Sequence, residues 1–116
     1  MPGTLSISVD SRSDRVAVMR FAGRLDFASA PKTRDQFAAA IADGRQTLIV
    51  DLSKVAFVDS AGLEALVDVT EKLNQAGRSL KICGANQTVR AVLRLTGVAG
   101  SFEFYDEVNA GVRSFL

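Results

Sequence analysis

The chain has 116 residues, 47% of them hydrophobic, and a formal charge of +1 from 14 basic and 13 acidic side chains. That is enough chain and apolar surface for one domain with a core of its own, and scattered, balanced charge argues against a nucleic-acid or membrane-surface binder. With no histidine and Cys83 as the only cysteine, an internal disulfide, a Cys/His zinc site and a Ser-His-Asp hydrolase are excluded.

Residues 4–10 alternate polar and apolar, which places Leu5, Ile7 and Val9 on one face of a half-buried strand. The polar stretch Ser11-Arg12-Ser13-Asp14 reads as a turn. A second strand from Arg15 to Phe21 follows, with Val16, Val18 and Met19 inward, and the short connection favours an antiparallel hairpin. Gly23-Arg24-Leu25-Asp26 is expected to break that strand. A helix should then run to about Asp43, with Ser29 as N-cap, Pro31 tolerated in the first turn, and Ala30, Phe37, Ala38 and Ile41 at helical spacing. Gly44 is placed to end it.

Thr47 to Leu52 is the most strand-like run, and its consecutive apolar residues fit a strand buried on both faces. A helix between it and residues 15–21 implies a parallel β-α-β unit. Leu63, Leu66, Val67, Thr70 and Leu73 mark an amphipathic helix over about 61–75, stopped by Ala76-Gly77. Residues 79–83 alternate like a strand. Asn86 is an N-cap candidate for a helix carrying Val89, Val92, Leu93 and Thr96 and ended by Gly97. Phe102-Glu103-Phe104 reads as a short edge strand, and Val108, Val112, Phe115 and Leu116 space a last helix. The order β-β-α-β-α-β-α-β-α gives an α/β domain, a mixed and mostly parallel sheet flanked by about four helices, with its first strand antiparallel.

The chemistry concentrates at Asp59-Ser60-Ala61-Gly62-Leu63, where a strand meets a helix. No Gly-rich loop closing on Gly-Lys-Ser/Thr is present, and the first strand is followed by Ser11-Arg12-Ser13 and not by a dinucleotide-binding glycine cluster. A phospho-aspartate switch at Asp51 lacks the acidic cluster that would hold magnesium. Two roles fit the corner itself. Asp59 or Ser60 can serve as an N-cap, with Gly62 allowing close backbone packing. Equally, a hydroxyl at a helix N-terminus is a good phosphoacceptor, because the product phosphate meets unpaired N–H groups and the positive end of the dipole. A phosphate there adds about −1.5 to −2 charge beside Asp59 and Glu64, opposing an acidic partner surface. Lone Cys83 is expected to pack at a strand end as a small apolar residue.

The corner resembles the Asp-Ser-Ser/Thr-Gly-Leu phosphorylation motif of the STAS domain family, in particular the bacterial anti-sigma factor antagonists. Gly23-Arg24-Leu25-Asp26 is similar to the family's Gly-Glu-Leu-Asp loop, and Val89 to Val98 looks like its penultimate helix with the closing glycine. The resemblance implies one STAS domain over 1–116. It implies that an anti-sigma factor with serine kinase activity binds the unphosphorylated protein, phosphorylates Ser60 and so inactivates it, and that a serine phosphatase restores it. Asp26, Asp59, Ser60, Ala61, Gly62, Leu63 and Glu64 would form the docking surface, with no catalytic residue, cofactor or metal. Glu64 stands where the family has glycine, and Arg24 where it has glutamate. The same resemblance leaves open a STAS subunit docked to the ATPase of a lipid-transport complex. Met1-Pro2-Gly3-Thr4 shows no basic stretch leading into an apolar one, and no apolar run approaches membrane-spanning length, so a cytoplasmic protein is expected.

Overall fold

The computed structural model describes residues 4–94 and 103–115. Its elements are β1 (Ser6–Ser11), β2 (Val16–Leu25), α1 (Ala30–Ala42), β3 (Thr47–Val58), α2 (Ser60–Gln75), β4 (Ser79–Cys83), α3 (Gln87–Arg94), β5 (Glu103–Tyr105) and α4 (Val108–Phe115). The sheet has five strands in the order β1-β2-β3-β4-β5. Among the described residues, β1–β2 is antiparallel and the other three pairs are parallel. This is the expected mixed sheet, with β5 as an edge strand. Phe102, Thr96, Gly97 and Leu116, and the Phe115 side chain, lie outside the described residues.

The pleat sorts side chains to two cores. On one face Ala17, Met19 and Phe21 of β2, with Leu48, Val50 and Leu52 of β3, pack against Phe37 of α1, Leu66, Val69 and Leu73 of α2, and Val89 and Leu93 of α3. On the other, Val16, Val18, Ile49 and Cys83 meet Val108 and Val112 of α4. Both faces of the central strands are therefore covered, so Val16, Ala17, Val18 and Met19 are all buried, and the consecutive apolar run of β3 has its physical reason. Asn86 accepts from the Val89 N–H at 2.8 Å, as an N-cap should. Gly44, in the left-handed region at φ +76°, follows the last turn of α1.

Several expectations need correction. Val9 shares the apolar face of β1 but is 52% exposed, at the margin of the helical layer. In α1 the buried residues are Ala30, Thr33, Phe37 and Ala40, whereas Ala38 is exposed and Ile41 half-buried. Gly23-Arg24-Leu25 does not break β2, which continues to Leu25 through register shifts between Arg20 and Ala22 and between Gly23 and Arg24. Glycine is required at the second shift: φ is +118°, and a Cβ would press into the Thr4 carbonyl. Nor does β3 stop at Leu52. It is 12 residues long, and only Thr47–Asp51 pair with β4. Past that point β2 and β3 run on as a two-stranded arm, where Val55 and Val58 face the core while Ser53, Lys54, Ala56 and Phe57 are exposed. The arm carries the strand–helix corner beyond the end of β4.

Candidate functional site

Asp59 leaves β3 in extended conformation, and every polar group it owns is committed. Its Oδ1 accepts the Gly62 N–H at 2.9 Å, making it the N-cap of α2. Its Oδ2 accepts the Phe27 N–H at 2.9 Å, its own N–H donates to the Leu25 carbonyl at 3.1 Å, and its carbonyl accepts the Leu63 N–H at 2.9 Å. One aspartate thus caps the helix and staples it to the turn between β2 and α1. Each such bond is worth about 1 kcal/mol net, and about 1–3 kcal/mol if one partner is left buried and unpaired.

Gly62 completes the fit. A Cβ there would lie 2.6 Å from the Leu25 carbonyl carbon and closer still to its oxygen. The expected close backbone approach is real, and its neighbour is the end of β2. With Asp59 as the cap, Ser60 becomes the first helical residue. It is exposed, and its N–H and that of Ala61, opening the helix, have no preceding turn to bond to. Glu64 comes fifth in α2 and is exposed. It therefore stands beyond the first turn, and its i, i+4 spacing puts it on the face of Ser60. Ala61 and Leu63 are half-buried, and Leu63 packs against the main core.

Asp26 lies in the turn that Asp59 holds. Its Oδ1 accepts the Ser29 N–H at 3.1 Å, the Ser29 hydroxyl accepts the Asp26 N–H at 2.9 Å, and Arg24 Nε donates to its Oδ2 at 3.3 Å. Burial works to raise the Asp26 pKa, but the Ser29 N–H, the Arg24 side chain and the Ser29 hydroxyl together outweigh it and hold the carboxyl below its ordinary range. Ser29 occupies the N-cap position of α1 without capping it by its side chain. Its hydroxyl donates instead to the Arg24 carbonyl at 2.9 Å, closing the turn. All seven residues expected to act together are thus gathered where α2 starts against the β2–α1 turn.

Two features of this end went unmarked in the sequence. Phe27 is 80% exposed although its N–H is fastened by Asp59. Phe57, 39% exposed on the arm, carries the Arg24 guanidinium 4.1 Å above its ring centroid. An aromatic among the small and polar residues 26–30 was the available signal for the first; the second depends on the β2–β3 register. No group of three or more potential metal-ligating side chains gathers among the described residues, and no described helix is long and apolar enough to cross a membrane.

This geometry can be set beside known proteins. The STAS domain family model matches residues 9–111. The chain belongs to the STAS domain family. Anti-sigma-F factor antagonist RsfB of Mycobacterium tuberculosis is 26% identical to it over 115 residues, covering 97% of this chain and 93% of the relative. The anti-sigma F factor antagonist of Paenibacillus polymyxa is 30% identical over 97 residues, covering 82% and 83% respectively. Among solved structures, an anti-sigma factor antagonist from Mycobacterium paratuberculosis superposes on this STAS domain with a TM-score of 0.87 at 27% identity, over 98% of this chain and 96% of the other. The superposition covers nearly all of this STAS domain.

Proposed function

We propose that this STAS domain is an anti-sigma factor antagonist. Its corner docks onto an anti-sigma factor when Ser60 is free and releases it when Ser60 is phosphorylated. The observation that carries the reading is the division of labour at the corner. Asp59 spends both carboxylate oxygens on structure, which leaves the neighbouring Ser60 hydroxyl exposed on a rigid mount and free for chemistry. The names of the similar proteins favour an antagonist over a docking subunit of a transport ATPase.

On this reading the chain supplies the nucleophile and the partner supplies the catalytic apparatus. Ser60 Oγ attacks the γ-phosphorus of ATP held by the partner's serine kinase activity, the β–γ P–O bond breaks, ADP leaves, and the hydroxyl proton passes to a base on the partner. The product phosphate meets the opening N–H groups of α2 and its positive dipole end, so the fold tolerates it. Across the interface the new dianion faces the nucleotide's remaining phosphates, and that repulsion weakens docking. A serine phosphatase returns the hydroxyl by hydrolysing the phosphate ester. On this reading the protein acts in the cytoplasm.

The test uses purified protein, each anti-sigma factor encoded in the same genome, and ATP. One of them should bind the unmodified protein and add a single phosphate by intact mass. Ser60→Ala should block the modification and retain binding. Phosphate mapped to another residue, or an equally tight complex with the phosphorylated form, would refute the switch.

A further inference from the structure

Beside Ser60 lies a groove of about 670 Å³ walled by Phe27, Pro31 and Ala61, with Asp35 of α1 and Glu64 of α2 at its sides. We propose that this groove receives an arginine side chain of the partner protein, and that Glu64 and Asp35 select it. The inference rests on the partner-docking reading above and names the chemistry by which that partner is recognised.

Three observations converge. Phe27, with a ring 80% exposed, outranks Val9 at 52% and Phe57 at 39% among the exposed large apolar side chains. Its backbone is nonetheless pinned by Asp59, so the ring is presented on a fixed mount. Such a mount loses little freedom when a partner covers it. Second, the groove carries unneutralised negative charge. Arg34 also borders it, but its Nη1 is 2.7 Å from Asp68 Oδ2 and is spoken for. Among the described residues neither Asp35 nor Glu64 has a cation within ion-pair distance. Third, the groove is continuous with the corner through Ala61, and Glu64 is one helical turn from Ser60.

The occupant follows from that chemistry. An acidic side chain is repelled. An aliphatic one covers the ring but strips water from two carboxylates without replacing it, which is costly. A guanidinium on a long apolar stem satisfies both demands: the stem packs on Pro31 and Ala61, the planar group lies against the Phe27 ring, and its N–H groups reach the carboxylates. Arginine fits better than lysine because it stacks and donates in a fork. On this proposal exposed Glu64 has a role of its own: it narrows the choice of partner.

The experiment has two arms. In the first, the ¹⁵N-labelled protein is titrated with Nα-acetyl-arginine amide and, separately, with the citrulline and leucine amides, up to about 20 mM, the range in which a single side chain can be seen to bind. Arginine should move the Phe27, Ala61 and Glu64 amides saturably and citrulline should not. Glu64→Gln or Asp35→Asn should remove the difference. In the second arm, the anti-sigma factor that satisfies the preceding test is titrated with Glu64→Gln, Glu64→Lys and Phe27→Ala. Affinity should fall about tenfold or more for Glu64→Lys and Phe27→Ala and by less for Glu64→Gln, with the charge effects shrinking in high salt. Equal response to arginine and citrulline, or a stronger one to leucine, overturns the proposal, as do shifts of these amides that depend on protein concentration, which would assign the groove to a second copy of this chain. If no anti-sigma factor binds the unsubstituted protein, the antagonist reading falls, and the arginine titration still decides the groove.

Discussion

Gly62→Ala strikes the closest approach between α2 and β2. Gly62 is the third residue of α2, and ordinarily alanine there would gain about 1 kcal/mol of helix propensity. Here the added Cβ lies 2.6 Å from the Leu25 carbonyl carbon and 3.0 Å from its Cγ. Carbon atoms rest at about 3.5–4.0 Å, so the start of α2 must retreat from β2 by about 1 Å. That retreat stretches the 3.1 Å bond from Asp59 N–H to the Leu25 carbonyl and the 2.9 Å bond from Phe27 N–H to Asp59. Overpacking costs about 1–3 kcal/mol and each lost bond about 1 kcal/mol. After the propensity gain the variant should be about 2–4 kcal/mol less stable. At about 4 °C per kcal/mol for a domain of this size, Tm should drop by about 8–16 °C. Urea and thermal unfolding followed by circular dichroism measure this directly. Ser60→Ala, two residues earlier but facing solvent, is the control and should stay within about 0.5 kcal/mol of the parent. A Gly62→Ala protein as stable as the parent, or more so, would show that α2 does not press on β2 and that the corner is not close-packed.

Asp59→Ala deletes the helix cap and the tie to the β2–α1 turn together, and should cost about 2–3 kcal/mol in chemical denaturation; amide exchange should quicken at Phe27 and Gly62 above all. Asp26 has a carboxyl held below its unfolded value, so its stabilising effect is present above about pH 4 and is lost as the pH falls through the lower folded value. Asp26→Asn should therefore be less stable at neutral pH and show a flatter stability profile below about pH 4; parallel profiles would refute this. Cys83 is buried at the end of β4, and burial, followed by the charge of Asp51, pushes its thiol up to about 11. A raised thiol pKa favours the fold below about pH 9 and loses that contribution as the pH rises toward 11, so Cys83→Ala should lessen the alkaline loss. In the parent, reaction with a thiol reagent at pH 7 should be slow and should follow the rate of opening.

The hydrophobic periods, the glycine stops and the alternation of strands with helices, all local properties of the chain, were enough to determine the element order, the antiparallel first pair and the parallel remainder. The Asp59-Ser60-Ala61-Gly62-Leu63 corner was legible for the same reason: cap, phosphoacceptor and close-packing glycine are choices made within a few residues. Register and burial were not legible, because they depend on which strands end first. β3 outlasts β4, so residues 53–58 lose a neighbour and expose Phe57, although they remain strand. Gly23 looked like a strand break and is a bulge inside β2, since the Thr4 carbonyl occupies the space a side chain would need. The assignment of Asp59 as the cap was open until both its oxygens were seen accepting from different elements. The bond from the Gly62 N–H made Asp59 the cap and so put Ser60 at the first position of the helix, and the long-range bond from Phe27 set the Phe27 turn beside it. Local sequence thus chose the residues of the corner, and tertiary packing decided which of them hold it together and which are left free to act.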